Sequence, residues 1–507
     1  MLSIVVFLPV AVAVALLVAK AGDAVVRWAW VGASAVELVL VVVLWLGYDG
    51  PGYGYEVNRR WIPTVSSGYH LGVDGLSLPL VAVTAVLFLA CAIYALRRTG
   101  SGTGREAPSG PRQPDNDRIR SFAALFLFLE TVCMGVFVSL DLVLFFVFFD
   151  LSIVGMYFVI AGWGHRNAAR AALQFFLYTF LGSLALLLGF IGLYLAAAPH
   201  TFDMVQLTAQ NPLQGKGTVA TLVLVAIGVG LAIKTPTVPF HTWLPPAHTE
   251  APAEGSAILA GVLLKLGTYG FVRIAMPMLP DAWRDWAGVV VAVGVVSVLY
   301  GALVALAQRD FKRMVAYTSV NHMGYVVLAV GAAGLLSTSD PLAHDLAVAG
   351  AVTQMVSHGL ITGALFLLAG VLYERGGTYD LDAYGGIAAG APRFAGLTAV
   401  AAFASLGLPG FSGFVAEFQI LTGSLPGAPV ATALAFLGIL VTAALFLRAY
   451  QRLFLGEPAG GVGDLTVTET LSIAPLMALA VVLGLFPRFL LDLVEPAARV
   501  LGTLVRR

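Results

Sequence analysis

Charged residues are scarce in this sequence, because Asp, Glu, Lys and Arg together make up 11% of its 507 residues, whereas hydrophobic residues make up 59%. A soluble domain carries about 25% charged residues, so this composition excludes a soluble fold. The formal net charge is zero, and nothing in the charge balance indicates binding to nucleic acid. We therefore expect a membrane protein with many spans.

Cysteine is nearly absent, and the motifs of redox and metal sites are missing. Cys91 and Cys133 both lie inside apolar runs, and the sequence has no CxxC pair, no HExxH motif and no glycine-rich nucleotide fingerprint between a strand and a helix. Two isolated apolar cysteines form neither a disulfide nor a metal-binding pattern. We expect no metal and no redox cofactor on this chain.

Apolar runs of about 20 residues, the length at which a helix crosses a bilayer, recur along the whole sequence. They predict an all-α polytopic fold with about fourteen transmembrane helices. The first run has no basic segment before it, so it is predicted to be a span rather than a signal peptide. The predicted spans lie near residues 2–19, 25–47, 77–96, 121–140, 142–162, 170–197, 218–241, 253–276, 284–307, 313–335, 346–373, 392–424, 428–454 and 468–495.

Lys and Arg concentrate in the loops that follow odd-numbered spans. The positive-inside rule places these loops in the cytoplasm and the N-terminus outside, although the basic tail 499–507 opposes this orientation. The predicted domains are three N-terminal transmembrane helices (1–96), a basic flexible cytoplasmic linker (97–120), a first five-helix repeat (121–277), a second five-helix repeat (278–455), and a C-terminal transmembrane helix with its tail (456–507).

The stretch Ile233–Leu266 carries a lysine near each end inside otherwise apolar sequence. Pro236 and Pro239 must break the helix that contains Lys234, so this lysine is predicted at the C-terminus of a half-helix, where the backbone dipole favours a cation. Broken helices expose ion sites in transporters. The alternative is a lysine that snorkels to an interface, which suits Lys265 less well because it lies deeper in its span.

A second break is predicted at Pro409, Gly410 and Gly413, with Glu417 one turn further on, in the first turn of a half-helix where the dipole favours a carboxylate. Two interrupted spans five apart are typical of structural repeats, here spans 4–8 and 9–13. An odd number of helices per repeat makes the repeats inverted. The alternative is a simple kink or a loop between shorter helices.

Three acids lie in or near the fourth and fifth spans. Asp141 follows a helix end and is most simply an N-cap. Asp150 is deep in its span, which favours a buried ion pair or a proton site involving Lys234. Glu130 is predicted at a similar depth on the preceding helix. It either holds a proton for Asp150 or only bonds to a neighbouring helix.

Glu254 and Lys265 are 11 residues apart. On a regular helix they share a face and lie about 16.5 Å apart, which suits a line of sites bridged by water. Glu254 is equally well interpreted as a favourable first-turn acid.

Four histidines are further candidates. His322 and His358 lie inside spans, where they either transfer protons or form helix–helix hydrogen bonds. His241 and His248 flank the first break, where a structural role is the simpler interpretation. Taken with the lysines and Glu417, the series indicates a proton relay.

The sequence is similar to the antiporter-like subunits of respiratory complex I and of Mrp-type cation/proton antiporters. The resemblance covers nearly the whole chain. It is carried by IKTPTVPFHTWLPPAHTEAPAEGSAILAGVLLKLGTYG (233–270), LGVDGLSLPL (71–80), FKRMVAYTSVNHMGYV (311–326) and SHGLITGALF (357–366).

The resemblance implies proton transfer along a mid-membrane polar axis, coupled to electron transfer in partner subunits. By position it gives Asp150 the place of the family's key glutamate, Lys234 that of its partner lysine, Lys265 that of the bridging lysine, His322 and His358 those of the central histidines, and Glu417 that of the exit-side acid. A glutamate at 417 is typical of M-type subunits, whereas L- and N-type subunits have lysine.

The resemblance also implies surroundings for the chain. FMN and Fe–S clusters are expected in partner subunits, which also bind NADH and quinone. L-type and N-type subunits are the expected neighbours, in a bacterial cytoplasmic membrane. The alternatives are a subunit of an Mrp-type Na⁺/H⁺ antiporter and a spacer that has lost transport.

Two residues depart from the family pattern. The family has glutamate where this chain has Asp150, and WLPDAH where Pro246 gives WLPPAH. The shorter Asp150 keeps the charge but loosens contact with Lys234, so compensation by Glu130 is a further hypothesis.

Overall fold

The computed structural model describes residues 1–19, 21–98, 117–458 and 461–506. Most of the predicted linker 97–120 lies outside these ranges. So do several basic residues used to predict the orientation, namely Lys20, Arg105, Arg112 and Arg507.

Nineteen α-helices account for most of the described residues. They are α1 (Leu2–Val18), α2 (Asp23–Leu46), α3 (Leu78–Ala95), α4 (Asp117–Val138), α5 (Leu142–Trp163), α6 (Ala168–Ala196), α7 (Met204–Gln210), α8 (Gly217–Lys234), α9 (Leu244–Glu250), α10 (Ala253–Met278), α11 (Pro280–Leu306), α12 (Phe311–Leu336), α13 (Pro341–Gly376), α14 (Ile387–Gly390), α15 (Pro392–Ser405), α16 (Ser412–Ser424), α17 (Pro429–Phe454), α18 (Val467–Leu485) and α19 (Arg488–Val505).

Within the described ranges, twelve of these helices are long and apolar enough to cross a membrane. The shorter apolar helix α1 and the pair of half-helices α15 and α16 complete the predicted set of about fourteen spans. The predicted span near 468–495 is wrong at its end, because α18 stops at Leu485. Pro487 then separates it from α19, which buries one face and exposes charged residues on the other.

A small antiparallel sheet between α2 and α3 was not predicted from the sequence. It consists of β1 (Gly54–Ile62) and β2 (Ser67–Val73), paired with Val57 opposite Leu71. The backbone N–H of Leu140 donates to the carbonyl of His70 at 2.9 Å. This hydrogen bond ties the hairpin to the turn between α4 and α5.

Two isolated bridges join aspartates at corresponding positions of the two predicted repeats. Asp141 pairs with Asp203, and Asp310 pairs with Asp380. Asp141 caps α5 through the N–H groups of Val143 and Leu144, as predicted, and Asp310 caps α12 in the same way. If crossings alternate in direction, α5 and α12 begin on opposite faces of the membrane. This arrangement is the one expected of inverted repeats.

The centre of the molecule is built from α10, α12 and α13. The most apolar windows of α10 and α13 are entirely buried, and that of α12 is 94% buried. A charged side chain inside these buried windows is therefore enclosed by protein rather than by lipid.

Candidate functional site

Lys265 and His358 form the first contact of a buried polar path. Lys265 is 1% exposed and lies just after a π-helical segment of α10, Leu259–Leu263. Its Nζ donates to the carbonyl of Ala260 at 2.5 Å and lies 2.6 Å from Nδ1 of His358 on α13. An ammonium group has no acceptor, so Nδ1 accepts this hydrogen bond. Lys265 and His358 are thus poised for direct proton transfer.

The path continues from His358 to Glu417 through His322. The two imidazole rings are 5.5 Å apart between centroids, and His322 Nδ1 lies 3.7 Å from Glu417 Oε1. Gln354 Nε2 lies 3.2 Å from the same Nδ1, and His322 Nε2 lies 3.3 Å from Ser405 Oγ. These side chains line one small cavity. Lys265, His358, His322 and Glu417, four residues predicted from the sequence, are therefore brought together.

Glu417 lies in the second turn of α16, which begins at Ser412, so the prediction of a first-turn acid is wrong. The break before α16 contains Gly407 with φ +76° and Gly410 with φ +99°. A Cβ on Gly407 would lie 2.3 Å from Glu417 Oε2. Glycine is therefore required at position 407 for two reasons. Its backbone is in the left-handed region, and a side chain would have no room beside the carboxylate. Sequence reasoning overlooked it, although it stands beside the predicted break at Pro409.

Lys234 is the last residue of α8 and is 1% exposed, so its predicted place at the end of a half-helix is confirmed. Its Nζ donates to Ser152 Oγ at 2.9 Å and lies 4.9 Å from the centroid of the Phe149 ring. Asp150 interacts electrostatically with Lys234. Within the described ranges, however, the two form no ion pair shorter than 4.0 Å, and Ser152 takes the direct contact.

The two lysines are joined by packing rather than by a hydrogen bond in the part of the chain that the structure describes. The end of α8 meets α10 at Gly267, where an added Cβ would lie 2.5 Å from Thr235 Oγ1. Gly267 follows Lys265 by two residues, and Thr235 follows Lys234 by one. The helices that carry the two lysines therefore pack directly against each other next to these residues.

Glu254 occupies the first turn of α10 and is fully buried, which agrees with its interpretation as a first-turn acid. The prediction that Glu254 and Lys265 share a face assumed a regular helix. The π segment Leu259–Leu263 lies between them, and a π turn accommodates about one extra residue, or roughly 100° of rotation. The shared-face prediction is therefore wrong.

The two histidines at the first break have different surroundings. The ring of His241 packs edge-on against Tyr300 with centroids 4.9 Å apart. His248 is fully buried and stacks on Phe366 at 4.4 Å. Neither ring nitrogen of His248 has a hydrogen-bond partner within the described ranges.

In the sequence, Lys312 is one of the basic loop residues from which the membrane orientation is predicted. It is fully buried near the start of α12, and its Nζ donates to the carbonyl of Ala251 at 2.5 Å. Its position two residues after Asp310, which caps α12, was the sequence feature that indicated a place inside the helix rather than in the loop. Lys312 belongs to the buried polar residues around the first break.

Glu130 is fully buried, and its Oε2 accepts a hydrogen bond from Ser34 of α2 at 2.8 Å. No hydrogen bond joins Glu130 to Asp150 among the described residues. The interpretation of Glu130 as an acid bonded to a neighbouring helix is the one that the contacts favour.

A family model described as NADH:quinone oxidoreductase/Mrp antiporter matches residues 139–444, which include both breaks and all six principal candidates. The chain belongs to this family. Its relatives include NADH-quinone oxidoreductase subunit M of Rickettsia bellii, which is 38% identical over 468 residues, covering 90% of this chain and 88% of that protein.

Solved structures of the family agree with this fold. The chain is similar to one in respiratory complex I from Thermus thermophilus, with a TM-score of 0.88, 31% identity and full coverage of both chains. It also resembles a chain of the Mrp complex from Dietzia, with a TM-score of 0.84 and 21% identity over 100% of this chain and 99% of that one, which shows a common fold. The protein is thus a multi-pass membrane subunit of a multi-subunit complex.

Proposed function

We propose that this chain is the M-type subunit of a respiratory NADH:quinone oxidoreductase and carries protons across the membrane. The observation that supports it best is the buried series of contacts from Lys265 through His358 and His322 to Glu417. Charged side chains inside a membrane protein are costly and mark ion or proton pathways. A spacer without transport would have no use for this series.

In the proposed mechanism, Asp150 stabilises the charged form of Lys234 across a gap rather than by direct contact. A shift that separates this pair releases the lysine's proton towards Lys265, with water bridging the distance between the two side chains. Lys265 then passes a proton from Nζ to Nδ1 of His358. His358 loses its other proton towards His322, and Glu417 receives it on the far side. Each step moves one proton and lowers the charge of its donor by one, and the donor regains its starting form when the next proton arrives from the preceding group, or from the aqueous phase in the case of Lys234.

The driving reaction is assigned to partner subunits, which would hold FMN and Fe–S clusters and bind NADH and quinone. L-type and N-type subunits would be the neighbours, and the membrane would be a bacterial cytoplasmic membrane with the N-terminus outside. In that orientation the hairpin β1–β2 faces the outside.

Replacing Lys234 with alanine in the assembled complex tests this function. Proton pumping by inverted membrane vesicles is followed with a pH-sensitive dye during NADH oxidation. Lys234→Ala is expected to abolish pumping while the complex still assembles. Lys216→Ala, which removes an exposed lysine from the loop before the same helix, is the matched control and should pump normally. Full pumping by Lys234→Ala would show that protons take another route.

The second candidate is a subunit of an Mrp-type Na⁺/H⁺ antiporter, favoured by the shared fold with the Dietzia complex. The identity to that chain is lower than to the complex I chain, and a glutamate at 417 suits the M-type assignment. A sodium gradient applied without NADH distinguishes the two. Proton movement driven by sodium alone would favour the antiporter.

A further inference from the structure

Gln354 is a buried amide on α13 to which the proposed proton path gives no role. It is 2% exposed and lies four residues before His358, so the two side chains leave the same face of α13. Both line the small cavity that also contains His322 and Glu417. The Oε1 atom of Gln354 has no hydrogen-bond partner within the described ranges. Burying an unpaired amide oxygen is costly, which indicates that the amide serves a purpose other than stability.

The amide nitrogen of Gln354 contacts the ring of His322. Its Nε2 lies 3.2 Å from His322 Nδ1. An amide NH₂ group donates and cannot accept, so Nδ1 accepts this hydrogen bond and carries no proton. The other ring nitrogen of His322, Nε2, lies 3.3 Å from Oγ of Ser405. A neutral imidazole has one protonated nitrogen, so Nε2 carries the hydrogen and donates to Ser405. Gln354 and Ser405 together select this tautomer.

Glu417 approaches the same ring nitrogen as Gln354. Its Oε1 lies 3.7 Å from Nδ1, which is beyond hydrogen-bond distance, whereas the amide of Gln354 lies within it. An amide NH₂ group suits Nδ1 only while this nitrogen is unprotonated. An ionised carboxylate suits it only when it carries a proton. Gln354 and Glu417 are therefore alternative partners of one nitrogen.

We propose that Gln354 is a positioning residue that directs proton transfer from His322 to Glu417 through Nδ1 and opposes its return. When Nδ1 receives a proton from His358, the new N–H group repels the amide NH₂, and the ionised carboxylate of Glu417 replaces it. The N–H bond then breaks and an O–H bond forms, which leaves a neutral ring and a carboxylic acid. Gln354 binds Nδ1 again and occupies the lone pair that a returning proton would need.

The helices around this exchange are held in place, so only side chains have to move. Oγ of Ser357, the residue before His358, lies 2.8 Å from Oγ of Ser412, the first residue of α16. This hydrogen bond joins α13 to α16 beside the cavity. The inference rests on the proposed function, because it assumes that protons pass from His322 to Glu417.

The test uses two variants of Gln354 in inverted vesicles that contain the assembled complex. Gln354→Leu removes the donor, and Gln354→Glu keeps the shape of the side chain but places a second carboxyl group beside Nδ1. Each is expected to lower the dye response per NADH oxidised about tenfold, the effect of losing one hydrogen bond that selects the reactive form. A residue that only fills space would tolerate the isosteric Gln354→Glu.

The matched control is Gln419→Leu. Gln419 is a second buried glutamine, 5% exposed, and its Oε1 also lacks a partner among the described residues. It lies two residues after Glu417 on α16, but no hydrogen bond joins it to His322 in the part of the chain that the structure describes. Gln419→Leu is therefore expected to pump normally.

Infrared spectra of the purified complexes provide a measurement that needs no variant of Gln354. The two tautomers of neutral histidine differ in the stretching band of the ring C–N bonds, and comparison of the unmodified complex with His322→Gln isolates the band of His322. This band should be that of the tautomer protonated at Nε2. In Gln354→Leu the other tautomer should appear.

Three results would overturn the inference. Normal pumping by Gln354→Leu beside a non-pumping Lys234→Ala would remove Gln354 from the path and leave the proposed function standing. Loss of pumping in Gln354→Leu with normal pumping in Gln354→Glu would reduce Gln354 to a packing residue. A His322 band from the tautomer protonated at Nδ1 would contradict the assigned hydrogen bond. Normal pumping by Lys234→Ala as well would mean that the proposed function itself has failed.

Discussion

The sharpest prediction concerns Gly407, whose α-hydrogen faces the carboxylate of Glu417. In Gly407→Ala the new Cβ would lie 2.3 Å from Glu417 Oε2, a distance that no side chain tolerates, so the carboxylate must move away. His322 Nδ1 is only 3.7 Å from Glu417 Oε1. A displacement of one or two ångströms would therefore open the last contact of the path, and proton pumping is expected to fall steeply.

The matched control is Gly377→Ala. Gly377 has φ +72°, close to the +76° of Gly407, but an added Cβ would meet nothing within 4 Å. Both variants have the same backbone cost, about 1–2 kcal/mol for a left-handed alanine. Thermal unfolding of the purified complexes should therefore show a similar loss of stability in both.

Only Gly407→Ala should lose pumping, measured as dye response per NADH oxidised in inverted vesicles. Equal pumping by the two variants would mean that the position of Glu417 beside His322 is not needed. Equal loss of pumping would mean that backbone strain alone explains the effect.

Two further predictions concern histidines. His358→Ala removes the acceptor 2.6 Å from Lys265 Nζ and should reduce pumping about 100-fold or more. The control His241→Ala loses only a ring contact and should retain most of the pumping. Equal pumping rates in the two variants would refute the relay. In the hairpin, burial lowers the pKa of His70, but the carboxylates of Asp203 and Glu56, at 2.6 and 2.8 Å, outweigh it and raise that pKa. The charged His70 therefore stabilises the fold fully below its unfolded pKa of about 6.5, and this stability is lost as the pH rises through the higher folded pKa. Thermal unfolding across pH should show the advantage over His70→Gln shrinking at alkaline pH; a constant difference would contradict this.

The sequence was most informative where a strong local rule applied. Lys234 lies at the end of α8 because the prolines that follow it cannot continue a helix, and that rule needs no tertiary information. Asp141 caps α5 for an equally local reason. His322, His358 and Glu417 were predicted as separate candidates, but their contacts depend on the packing of α12, α13 and α16, which no single segment encodes.

The errors arose where distant packing decides the outcome. Lys312 resembles a loop lysine in its own segment, yet it is fully buried and its Nζ donates to the carbonyl of Ala251, between α9 and α10. The hairpin β1–β2 was missed because its strands lie in a short polar segment between spans. The first-turn prediction for Glu417 failed because the break extends to Phe411.

The π segment Leu259–Leu263 has a consequence for the tolerance of α10 to insertion and deletion. The segment takes up one extra residue, so Lys265 has the direction that a regular helix one residue shorter would give it. Exchanging one apolar residue for another there would leave that direction unchanged. Removing one residue from the segment would convert it to regular α-helix and also leave Lys265 directed at His358, whereas inserting one more residue would turn the lysine by roughly 100°. This part of α10 is therefore expected to tolerate a deletion better than an insertion.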